Sequence, residues 1–240
     1  MSELFEVRIL PQPDDTTCGP TCLQALYGFY GDEIPLERVI REIVPLDTHG
    51  TLAVLLARHA LHRGYSATIY TYNLHVFDPT WFEEDRELLP ARLKDQARVK
   101  NDPKLHVATD VYLDFLALGG NLRFQELTPE LLRGFLEKRR PILTGLSATY
   151  LYGCPREQGE RRIVYDDVRG LPTGHFVVLS GYDSDTAEVL VADPLGENPR
   201  FLLHYYRVGI QRLIGAILLG VLTYDANFLV VEPGVRSVPR

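Results

Sequence analysis

Twelve residues constrain this chain more than any others: Gln12-Pro13-Asp14-Asp15-Thr16-Thr17-Cys18-Gly19-Pro20-Thr21-Cys22-Leu23. They set a glutamine six residues before a cysteine, at a point where a loop turns into a helix. Thr16 or Thr17 is the expected N-cap, and Pro20 suits an early helical position, where a missing N–H costs nothing. A thiol at Cys18 would face the positive end of the helix dipole, which favours thiolate. Gln12, just upstream, is placed to donate an amide N–H to a developing oxyanion. The structural alternative is a small buried thiol at Cys18 and a surface amide at Gln12.

The rest of the composition narrows the classes. A chain of 240 residues, 45% hydrophobic and 24% charged, is long enough to bury a sizeable core. Its net charge of -7 argues against nucleic acid as a main partner, because phosphate binding needs a basic face. Three cysteines, Cys18, Cys22 and Cys154, do not make a disulfide framework, and Cys18 and Cys22 are one helical turn apart. No zinc-type spacing of ligands is present, and no cofactor is implied. The first residues lack a basic stretch followed by an apolar one, so no signal peptide is expected. The most apolar run, Leu213 to Leu222, is too short to span a bilayer. These readings predict no membrane association and a cytoplasmic location.

Periodicity predicts helices over 18–30, 35–44 and 51–63, the last closed by Gly64, then a strand over 65–72. Residues 73–120 read as a helical insertion, with segments at 81–89, 90–100 and 105–118. His75, Asp78 and Trp81 within it have no spacing that fixes a site. A strand is predicted over 121–127, then a helix over 128–139 with Thr128 as N-cap and Pro129 at its first position. Pro141 to Leu146 reads as a short buried strand, and 152–174 as a long surface loop or hairpin carrying an incidental thiol, Cys154. Strands follow at 174–182 and 187–193 around the turn Asp183-Ser184-Asp185-Thr186, then a helix over 206–220 and a strand over 227–232. No repeat or linker divides the chain. The expected architecture is one α+β domain over 1–240 with a mainly antiparallel sheet.

A reactive thiol needs a base, and the base needs an orienter. Seven histidines compete: His49, His59, His62, His75, His106, His175 and His204. His175 alone has a geometric argument, because it begins one arm of the late hairpin and Asp193 ends the other. A turn centred between Ser184 and Asp185 places His175 opposite Pro194 and beside Asp193. A slip of one residue, or a bulge, makes His175 and Asp193 direct partners, with Cβ atoms about 4.5–5.5 Å apart. The structural alternative is a strand-ending turn aspartate and a polar boundary histidine.

The segments Gln12-x5-Cys18-Gly19-Pro20, Gly174-His175-Phe176-Val177-Val178-Leu179 and Ala192-Asp193-Pro194-x-Gly196 together resemble the bacteriocin-processing, double-glycine leader peptidase family and its stand-alone relatives. These are papain-fold cysteine peptidases. The resemblance implies a helical part carrying the cysteine, packed on an antiparallel sheet carrying histidine and aspartate, with a cleft between. It implies Cys18 as nucleophile, His175 as general base then acid, Asp193 as orienter and Gln12 as oxyanion donor, acting on a peptide or peptide-like amide substrate. Two features depart from the family. Its leader-removing domains are usually fused to a membrane exporter with an ATPase, and this chain shows neither. Its members often carry Asp directly before the cysteine, where this chain has Thr17.

Three readings stay open at this level. A hydrolase and an acyl-transferring enzyme would use the same thioester, and a non-catalytic module of the same fold would hold a peptide without cutting it. A metal-dependent hydrolase lacks any close pair of ligands such as His-x-x-x-His. The substrate and its specificity are not written in these motifs, although residues 73–120 are expected to supply part of the cleft wall.

Overall fold

The computed structural model describes residues 2–43, 51–83, 86–159 and 164–234. His49, the last residue of the second expected helix and part of the expected 152–174 loop lie outside them. The chain opens with β1 (Ser2–Leu4), α1 (Cys18–Phe29), α2 (Leu36–Glu42), α3 (Ala53–His62) and β2 (Tyr65–Thr71). After two short 3-10 turns come α4 (Leu89–Val99), α5 (Pro103–Ala117), β3 (Asn121–Arg123), α6 (Pro129–Leu136), β4 (Ile142–Ser147) and α7 (Ala148–Tyr152). The last third holds β5 (Glu157–Gln158), β6 (Val164–Tyr165), β7 (Gly174–Asp183), β8 (Glu188–Ala192), β9 (Tyr205–Gly209), α8 (Ile210–Leu219) and β10 (Asn227–Pro233).

The strands build one sheet in the order β3-β2-β10-β4-β7-β8-β9, with β1 paired to β7, while β5 and β6 form a separate ribbon. β2 and β3 run parallel and the other pairs are antiparallel. β7 lies inside the sheet, between β4 and β8, because its sequence allows it: Phe176 to Leu179 are all apolar and essentially inaccessible, as a strand covered on both faces requires. The helix α1 packs on β7, α3 on β2 and β10, α6 on β7, and α8 on β4.

Local chemistry explains most boundaries. The Thr128 hydroxyl accepts from Leu131 N–H and Pro129 follows it, so α6 starts as predicted. Gly64 takes φ +87° and ends α3, a backbone state that costs glycine little. Asp102 caps α5 by accepting from Lys104 and Leu105.

Three expectations need correction and one is met only in part. Residues 206–220 are not one helix: Tyr205–Gly209 alternate exposed and buried and form the edge strand β9 before α8 begins. The strand predicted over 121–127 stops at Arg123. Thr17 takes the N-cap position of α1, as expected, but makes no side-chain capping bond. The Thr17 hydroxyl instead donates to Asp14 C=O (3.0 Å) and accepts from Asp14 N–H (3.2 Å), so it ties down the preceding turn. The register of β7 and β8 also differs from the hairpin first drawn. Asp183 pairs with Glu188 and Tyr182 with Val189, the register shifts, and Leu179 then pairs with Val191 and Val178 with Ala192. Continued, this sets Asp193 opposite Val177, so His175 and Asp193 are diagonal neighbours on one face rather than direct partners.

Among the described residues no helix is long and apolar enough to cross a membrane.

Candidate active site

Gly19 decides where Cys18 sits. A Cβ at Gly19 would lie 3.2 Å from Leu56 Cδ1 and 3.4 Å from the Phe176 ring, so the bare backbone lets the first turn of α1 press against β7. One turn further on, the buried Cys22 thiol meets Phe176 C=O at 3.3 Å. Phe176 follows His175, so this contact brings the N-terminus of α1 to the start of β7. Cys18 is partly accessible there and close enough to His175 to help raise the pKa of its ring.

The other face of the ring is fixed by Asp193. His175 Nε2 donates to Asp193 Oδ1 at 2.8 Å, which leaves Nδ1 for Cys18. Both His175 and Asp193 are buried. Burial opposes an imidazolium, but the Asp193 carboxylate and the nearby Cys18 outweigh it, and the His175 pKa is raised to about 10. Burial likewise opposes a charged Asp193, and the nearby His175 and the hydroxyls of Tyr206 and Tyr152 overcome it and hold the carboxyl below its ordinary range. Asp193 Oδ1 also accepts from Leu195 N–H at 2.8 Å. Asp193 Oδ2 accepts from Tyr152 at 2.7 Å and Tyr206 at 2.6 Å.

Gln12 enters the site through its backbone and its side chain. Its N–H donates to Pro194 C=O (3.1 Å), which ties the loop before Cys18 to the turn after Asp193. Its side-chain Nε2 donates to Asp14 C=O at 2.9 Å, and Oε1 is buried without a hydrogen-bond partner. The structure thus brings Cys18, His175 and Asp193 together, with His175 and Asp193 hydrogen-bonded, and holds Gln12 beside them with one amide N–H committed to Asp14.

The other sequence candidates are placed elsewhere. Cys22 is an inward residue of α1 whose thiol pKa is pushed well up by burial and by Cys18 and Asp193. Cys154 is half-buried, and burial together with the Glu157 charge raises its pKa. His75 stacks on Tyr224 with ring centroids 5.0 Å apart, and Asp78 caps Thr80.

Sequence reasoning missed Tyr152, Tyr206, Glu157 and Asp225. Alternation over 205–209 was the signal available for Tyr206; Tyr152 had none, because α7 is only five residues long. Burial and the Asp15 charge raise the Glu157 pKa, against the opposing effects of Thr173 and His175. Asp225 is buried against Gly174, where a side chain would collide with the Asp225 carboxyl and with Thr223.

Asp225 gives the fold a specific pH dependence. Burial raises its pKa to about 7, against the opposing effects of Thr223, Lys104 and His175. An unfolded Asp titrates near 4, so the folded chain binds the extra proton between about pH 4 and 7. Its contribution to stability therefore falls as pH rises through that window, and the charged form is fully penalised above it. Asp225→Asn should gain thermal stability relative to the parent on going from pH 5 to pH 8. Melting curves at both pH values check this, and a pH-independent difference between the two proteins would contradict it.

Sheet, helix and site together define a papain-like α+β fold. No family model matches the chain, and no curated protein does either. Among solved structures, a C39-like peptidase from Bacillus anthracis matches with a TM-score of 0.51 and 12% identity, over 96% of this chain and 97% of that one. A double glycine motif protease from an AMS/PCAT transporter, solved with its leader peptide, matches with a TM-score of 0.48 and 13% identity over 96% and 94%. The peptidase domain of Streptococcus ComA matches with a TM-score of 0.45 and 13% identity over 95% and 99%. At 12% identity the likeness to the C39-like peptidase is one of fold, and it bears out the papain-like architecture that the sequence motifs implied.

Proposed function

We propose that the chain is a cysteine peptidase-like hydrolase that cleaves a peptide or amide bond through a thioester on Cys18. The observation that carries this reading is the buried His175 ring, bonded through Nε2 to Asp193 at 2.8 Å with Cys18 close enough to act on its pKa. Cys18 and His175 react as a thiolate–imidazolium pair. The sulfur attacks the carbonyl carbon, and the oxyanion is met by Cys18 N–H, which at the first turn of α1 has no intrahelical acceptor, and by the second amide N–H of Gln12. His175 Nδ1–H protonates the leaving amine as the C–N bond breaks. The neutral imidazole then takes a proton from water, which attacks the thioester and frees the acid and the thiol. Asp193 keeps the ring oriented throughout. We assign this chemistry to one papain-like domain over 1–240, with residues 73–120 as its helical insertion.

Digestion of a defined peptide library, read by mass spectrometry for new termini, tests the proposal. Cleavage that disappears after one equivalent of iodoacetamide is expected; cleavage that survives full thiol alkylation would overturn the assignment. Gln12→Ala should lower kcat by about 10²–10³, the usual loss for one oxyanion donor, with little change in KM. Steady-state kinetics on the best peptide from the library measures it.

A further inference from the structure

Asp193 is completely buried, and a buried carboxylate that lacks donors takes up a proton and loses its hold on a neighbouring imidazolium. Here every polar atom of the residue is engaged. Its N–H donates to His204 C=O at 2.8 Å, and its own C=O meets His204 Nδ1 at 2.7 Å. Oδ1 is shared by His175 Nε2 and Leu195 N–H, and Oδ2 takes two phenols at 2.7 and 2.6 Å. Hydrogen bonds of that length are typical of a hydroxyl on an ionised acceptor.

The phenols come from separate elements and are themselves held. Tyr152 ends α7, whose last carbonyls are fixed by Arg212 of α8: Nε donates to Leu151 C=O at 3.0 Å and Nη2 to Tyr150 C=O at 2.6 Å. Tyr206 stands on β9 with Phe201 stacked on its ring at 3.8 Å, and Phe201 meets the Tyr152 ring edge-on at 6.5 Å. Both hydroxyls sit on the same oxygen, so the carboxylate cannot turn over without losing both.

We propose that Tyr152 and Tyr206 are positioning residues of the triad, which together assign Oδ2 to themselves, leave Oδ1 facing His175 Nε2, and keep Asp193 ionised into the acid range. This rests on the cysteine peptidase reading of Cys18, His175 and Asp193. A purely structural pair of tyrosines would cost stability on removal and lower the rate equally at all pH values. A positioning pair moves the acid limb of the profile.

Tyr152→Phe, Tyr206→Phe and the double variant keep the rings and remove only the hydroxyls. For each hydroxyl lost, the acid limb of kcat/KM should rise by about one pH unit, the order expected for one hydrogen bond to a charged group. The carboxyl resonance of Asp193 in protein carrying ¹³C-labelled aspartate, assigned with Asp193→Asn, should shift its titration midpoint upward by the same amount. A midpoint and an acid limb that stay in place in the double variant would overturn the proposal. A midpoint that moves while no form of the protein cleaves any peptide would uphold the clamp and remove the peptidase reading instead.

Discussion

Cys18→Ala is expected to abolish turnover, lowering kcat by on the order of 10⁶-fold, because members of a catalytic unit act together and loss of the nucleophile forfeits the covalent route entirely. Stability should hardly change. The side chain is small and partly accessible, and the contacts that seat α1 on β7 belong to Gly19 and Cys22. The expected pattern is therefore an inert protein with an unaltered melting curve. Kinetic assay and calorimetry on the same preparation check both halves. Retention of full turnover by Cys18→Ala would remove the thioester mechanism.

Asp193→Ala should fail in the opposite way, losing the fold's stability along with the activity. The substitution strands four donors at once: His175 Nε2, Leu195 N–H and the hydroxyls of Tyr152 and Tyr206. It also leaves a buried imidazolium without its counter-charge. Breaking a buried pair from one side costs about 3–5 kcal/mol. At roughly 2–4 °C per kcal/mol for a domain of this size, the melting midpoint should fall by about 6–20 °C. Calorimetry beside Cys18→Ala separates the two roles. A parent-like midpoint for Asp193→Ala would mean that the carboxylate does not organise this end of the sheet.

The parts of the site that were legible in the sequence are those fixed by local pattern. Cys18 could be placed because Gly19 and Pro20 follow it into an amphipathic helix. His175 could be placed because Phe176 to Leu179 form an unbroken apolar strand. Their neighbourhood was legible as well, since one hairpin joins His175 to Asp193. The details that failed depend on tertiary contacts. The register shift between Leu179 and Tyr182 leaves no mark in the alternation of residues, yet it turns a direct pair into a diagonal one. Thr17 has the chemistry of an N-cap, but its hydroxyl is spent on the Asp14 turn. Tyr152 and Tyr206, separated by 53 intervening residues in the chain, meet only on the carboxylate of Asp193. Tyr205 and Tyr206 were absorbed into an expected helix because the apolar residues of α8 follow so closely. The helical character of residues 73–120 was readable from periodicity, whereas the stacking of His75 on Tyr224 was not.

The thiols themselves offer the most direct measurement. Cys22 is fully buried, and burial and the Glu157 charge raise the pKa of the Cys154 thiol, while Cys18 is partly accessible and lies beside the His175 ring. The native protein should be treated with one equivalent of iodoacetamide at neutral pH, digested, and mapped by mass spectrometry as peptidase activity is followed. The expected result is modification of Cys18 alone, with activity lost in proportion to the label. Modification of Cys154 with Cys18 left untouched, or full activity in the Cys18-labelled protein, would contradict the account at its centre.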